Sequence, residues 1–105
     1  MAWVYLITAS MLEIVWAISL KYTDGFTRLW PSVLTVVAML ASFGCLSVAM
    51  RSIPVGSCYA MWTGTGAVGT ALLGMAFLGE PFSAARIVCV LLIAVGVVGM
   101  KILSP

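Results

Sequence analysis

Four apolar runs, each close to the length needed to cross a bilayer, leave this chain few ways to fold. At about 1.5 Å rise per residue, roughly 20 residues of helix span a hydrocarbon core of ~30 Å. The runs cover Ala2 to Leu20, Trp30 to Met50, Val55 to Leu78 and Arg86 to Met100. Between the first two lies the polar turn Lys21-Tyr22-Thr23-Asp24-Gly25-Phe26-Thr27-Arg28, and Pro31 opens the next helix. Arg51-Ser52-Ile53-Pro54 closes the second run and Gly79-Glu80-Pro81-Phe82-Ser83 the third, each proline disfavouring continuation of the helix before it. The alternating pattern of a membrane barrel strand is absent, so helices are the expected spanning elements. Composition agrees, with 64% apolar and 8% charged residues, far from the balance of a soluble domain. The expectation is an all-α integral membrane protein of four transmembrane helices, with residues 1–105 forming a single transmembrane domain.

Several function classes drop out. Five basic residues are scattered along the chain and the net charge is only +2, so no basic patch invites nucleic acid. Cys45, Cys58 and Cys89 all fall inside apolar runs, without metal-ligand spacing and with no histidine in the chain. They read as packing residues, and neither a metal nor a cofactor is expected. The membrane runs hold no acid pair and no nucleophile beside a base, which argues against an enzyme. The first run lacks a basic n-region and a small-residue cleavage site and carries Glu13 mid-span, unlike a signal peptide.

Charge gives almost no orientation. With a cytoplasmic N-terminus, that side carries Arg51 and Lys101 and the other side Lys21, Arg28 and Arg86. A difference of one basic residue is too small for the positive-inside rule, so insertion in both orientations is expected unless the order of helix insertion steers it.

Glu13 is the only acid in the middle of a run. A carboxylate at that depth costs at least about 2.5 kcal/mol and by default marks a proton relay, ion pathway or substrate counter-ion; the plainer alternative is a protonated Glu satisfied by a neighbouring helix. Such a carboxyl holds a proton or a cation, but not both comfortably. Leu6, Ala9, Ser10, Trp16, Ala17 and Leu20 share its helical face. The second run offers the stripe Thr35, Ala38, Met39, Ser42 and Cys45, and the third offers Tyr59, Trp62, Thr63, Gly66 and Thr70. Rings beside a carboxylate hold cations, with cation–π contact adding about 0.5–2 kcal/mol. Trp3 and Trp30, at run ends, read as interface anchors.

One Glu13 per chain makes half a site, and four helices cannot contain the inverted repeat of a transporter. Two copies inserted in opposite orientations repair both defects, because the pair acquires a pseudo-two-fold axis in the membrane plane. Gly64, Gly66, Gly69 and Gly74 in the third run, and Ala94, Gly96 and Gly99 in the fourth, allow close packing; the third-run glycines serve equally as a hinge.

Glu13 followed by Ile-Val-Trp-Ala-Ile-Ser-Leu-Lys-Tyr, then Phe26-Thr27-Arg28, then Pro54-Val55-Gly56-Ser57-Cys58-Tyr59-Ala60-Met61-Trp62-Thr63-Gly64, resembles the small multidrug resistance transporters over essentially the whole chain. Trp16, Trp62 and Lys101 resemble the guanidinium exporter subtype rather than the polyaromatic-cation subtype. The resemblance implies an antiparallel, dual-topology homodimer in the bacterial inner membrane, with both Glu13 carboxylates in one central site that exchanges protons for a small organic cation. It also implies that Ser42, Tyr59 and Trp62 line or orient that site, beside which helical spacing sets Ser10 and Trp16 as further lining candidates. Ser10 stands where the subtype usually has Gly, and Cys89 where many members have Gly on the last helix.

The expected activity is proton-coupled export of guanidinium and related cations, extending to quaternary ammonium ions if an alkyl tail can leave between helices past Met39. Three alternatives stay open at this stage: a broad multidrug exporter, a small ion channel, and a structural membrane subunit.

Overall fold

The computed structural model describes residues 1–103 as four consecutive helices: α1 (Ala2–Tyr22), α2 (Leu29–Ala49), α3 (Val55–Phe77) and α4 (Ala84–Leu103). By length and composition, α1, α2 and α4 are each apolar enough to cross a membrane. The 23-residue α3 is long enough, but five glycines with Ser57, Thr63, Thr65 and Thr70 dilute its apolar character. It is also the helix that touches all three others, packing mainly on α1 and α4, while α1 packs most extensively on α2.

The helix ends differ from the apolar runs where polar groups cap the backbone. The Thr23 hydroxyl donates to the Leu20 carbonyl at 2.7 Å and accepts the Phe26 N–H at 3.2 Å, so α1 continues to Tyr22 before the chain reverses. The reversal passes through left-handed backbone at Asp24, Gly25 and Phe26, with φ of 49°, 72° and 66°. Glycine adopts such angles without the side-chain clash that makes them costly elsewhere. After α3, the N–H groups of Leu78 and Glu80 both donate to the Gly74 carbonyl and Gly79 turns through φ 71°. Ser83 Oγ then accepts the Arg86 N–H at 3.2 Å, an N-cap that starts α4 at Ala84 rather than Arg86.

The core gathers where α1, α2 and α3 meet: Leu6, Ala9, Leu46, Ala49, Ile53, Cys58, Met61 and Trp62. Ala9, Ala49 and Cys58 are fully buried, so small side chains bring the helices together, as van der Waals packing in lipid requires. Of the cysteines, Cys58 is a core residue, Cys45 is half-buried and Cys89 is exposed. On α4 only Val90 is buried, while Leu91, Leu92, Val95 and Val98 point outward.

Candidate functional site

The helix register brings Glu13 of α1 against Gly66 of α3. A Cβ added at Gly66 would fall on the Glu13 carboxyl group itself. The carboxylate is therefore seated directly on the α3 backbone. Its Oε1 is buried and has no hydrogen-bond partner among the described residues, and the same holds for Trp16 Nε1, one turn along α1. Thr70 Oγ1, one turn beyond Gly66, and Ser19 Oγ are also buried and unpaired. Buried polar atoms without partners cost about 1–3 kcal/mol each and are few in folded proteins. Glu13 and Trp16 on α1 and Thr70 on α3, one turn beyond the glycine that seats the carboxyl, thus leave polar atoms unmet on the two helices that meet at Glu13.

The other glycines of α3 meet different neighbours. A Cβ at Gly64 would meet Val97 of α4, and one at Gly69 would meet the Ile14 side chain. Gly64, Gly66 and Gly69 thus stand where α3 comes close to α4 and α1, while Gly74 faces Glu80 of the following turn.

One turn before Glu13 on α1 and before Gly66 on α3 lies a buried hydrogen-bonded knot. The Ser42 hydroxyl donates to the Ala9 carbonyl at 2.7 Å, and Trp62 Nε1 donates to Ser42 Oγ at 3.1 Å and to the Ala9 carbonyl at 3.3 Å. Three helices are tied at one point, and the Trp62 ring is fixed there. Ser42 thus positions an aromatic wall; its donated bond goes to Ala9. Replacing it by Ala leaves Trp62 with a single long bond, so Ser42→Ala should destabilise the protomer by about 1 kcal/mol, read as a lower unfolding midpoint in detergent.

The fixed Trp62 ring belongs to a ladder. Trp16 meets Phe43 edge-on with centroids 6.4 Å apart, Phe43 meets Trp62 at 5.8 Å, and Tyr59 leans on Trp62 at 5.6 Å. Tyr59 is 55% exposed on the protomer surface. Phe43 escaped the sequence reading because a Phe in an apolar run looks like any lipid-facing residue; its place next to Ser42 was the only hint.

Ser10 is buried, and its hydroxyl donates to the Leu6 carbonyl of its own helix at 2.9 Å. It lines a cavity of about 490 Å³ between α1, α3 and α4, together with Trp3, Met61, Thr65, Val97 and Lys101. The Lys101 ammonium lies 5.5 Å from the Trp3 ring centroid, a cation–π contact between α4 and α1. A second cavity of about 500 Å³ sits at the α3–α4 turn beside Met75, Glu80, Arg86 and Cys89. Met39 is half-buried on α2 and lines neither of these two cavities.

The profile of the family described as Small Multidrug Resistance protein matches residues 1–93. A protein from Citrobacter freundii named Guanidinium exporter is 54% identical over 102 residues, covering 97% of both chains. Proteins of the same name from Yersinia pseudotuberculosis serotype I and Proteus vulgaris are 55% and 50% identical over 104 residues, covering 99% of this chain and all of theirs. Four helices, an intramembrane carboxylate and these full-length similarities converge: the chain belongs to the small multidrug resistance family and is a multi-pass protein of the bacterial inner membrane.

Proposed function

We propose that this protein exports guanidinium and related small organic cations in exchange for protons, working as an antiparallel dual-topology homodimer. The observation that carries the reading is half-buried Glu13, its carboxyl against Gly66 with Oε1 buried and unpaired, one turn along α1 from Trp16 at the end of the ring ladder. Relatives named Guanidinium exporter support the choice of substrate.

Each Glu13 carries a proton in the resting dimer. An entering cation displaces both protons and takes the two carboxylates as counter-ions. Guanidinium is planar and rich in donors, so it forms fork-like, charge-assisted hydrogen bonds to carboxylates. The dimer then rocks, opens to the far side and releases the cation to incoming protons. Because substrate and protons exclude each other, the inward proton gradient drives export. Antiparallel protomers make the inward and outward states the same structure with the protomers exchanged.

Trp16, Phe43, Tyr59 and Trp62 offer π faces that also suit a quaternary ammonium headgroup, which has charge but no donors. An alkyl tail on such an ion would leave the site past Met39. Purified protein in liposomes on solid-supported membranes tests both points. Guanidinium currents are expected, with smaller currents from short-tailed ammonium ions; polyaromatic-cation current without guanidinium current would move the protein to the broad multidrug class.

A further inference from the structure

We infer that Gly66 is a positioning residue for the transport carboxylate: the missing side chain in α3 is the seat that holds Glu13 at its working depth. The inference rests on the role proposed for Glu13. A methyl group at Gly66 would occupy the space of the Glu13 carboxyl carbon and oxygen, and would approach its Cγ within 2.9 Å. The overlap falls on the far end of the flexible Glu13 side chain, so it is the carboxyl that moves. Gly66 is buried inside a continuous helix, so its backbone cannot yield, and the two groups compete for one volume. The carboxyl would have to leave α3, taking Oε1 out of its buried position.

Gly69 differs in kind. A Cβ there meets the terminal carbons of Ile14, an apolar side chain that does not bind protons or cations. It therefore serves as a packing control at the same interface.

The test is a double-mutant cycle between positions 66 and 13, since only directly coupled sites depart from additivity. Glu13→Asp shortens the acid by one methylene and draws its carboxyl back from α3. Guanidinium binding is followed by tryptophan fluorescence across a pH series. Gly66→Ala alone should weaken binding by about tenfold or more and displace the pH midpoint of proton–guanidinium competition by about one unit. On the Glu13→Asp background the same alanine should cost less than about threefold. Gly69→Ala should lower thermal stability and leave the pH midpoint in place.

If Gly66→Ala does not fold, recovery of folded dimer in Gly66→Ala/Glu13→Asp supports the seat, and failure to recover overturns it. Equal losses on both backgrounds, or an unmoved pH midpoint in Gly66→Ala, also overturn it. Those results leave the proposed function standing so long as the unmodified protein binds guanidinium in competition with protons; absence of that competition is instead the failure of the functional reading.

Discussion

Glu13→Gln should eliminate guanidinium-driven current while leaving a folded protein. Glutamine preserves the shape that fits against Gly66 but cannot give up a proton or serve as a counter-ion. Each hydrogen bond to a charged group contributes about 1.5–3 kcal/mol, so losing a charge-assisted fork removes about 3–6 kcal/mol, more than about a hundredfold in affinity. Proton coupling disappears with it, because no other acid lies within the apolar stretch of a helix: Asp24 and Glu80 sit in turns. Currents in proteoliposomes check the prediction. Retained exchange in Glu13→Gln would remove the carboxylate from the mechanism.

Trp62→Ala is expected to have the second-largest effect, acting on both stability and binding. Trp62 is 6% exposed and joins two different networks, donating to Ser42 and Ala9 while its ring contacts Phe43 and Tyr59. Truncating a buried aromatic to alanine typically costs about 3–5 kcal/mol, and here it also leaves the Ala9–Ser42 bond without its third member. Trp62→Phe bears on the two contributions, since it keeps a six-membered ring while removing the N–H donor with the five-membered part of the indole. The unfolding midpoint in detergent should fall furthest for Trp62→Ala, with Trp62→Phe close to Ser42→Ala. Guanidinium affinity should fall by more than about tenfold in Trp62→Ala. Equal stability of Trp62→Ala and Trp62→Phe would show that the ring ladder contributes little.

How much of this was legible in advance depended on whether the deciding contact lay within a helix or between helices. The four elements follow from apolar runs broken by Gly and Pro, and Pro31 and Pro54 mark where α2 and α3 open. The ends of α1 and α4 were set by hydroxyl caps at Thr23 and Ser83, which apolar patterning does not register. Glu13 stood out because one acid in an apolar run is costly enough to require a reason. Its seat on Gly66 could not be read, since one glycine in α3 looks like the next until the register of α1 against α3 selects it. Trp62 and Ser42 could each be picked out, but not their bond to one another 20 residues apart. Phe43 was invisible for the same reason: its meaning comes entirely from rings on α1 and α3.

In the proposed homodimer, the outward apolar face of α4 and the half-exposed Tyr59 are surfaces open to the second copy. Each Glu13 would then rest on the α3 backbone of its own chain.

Proton release on substrate binding measures the exchange at Glu13 most directly. Guanidinium is added to purified protein in weakly buffered detergent solution, slightly on the acid side of neutrality, and the change in pH is recorded. Binding should acidify the solution, the release should diminish as the starting pH rises and the carboxyls lose their protons beforehand, and Glu13→Gln should give none. Saturable guanidinium binding without proton release across that pH range would contradict the exchange.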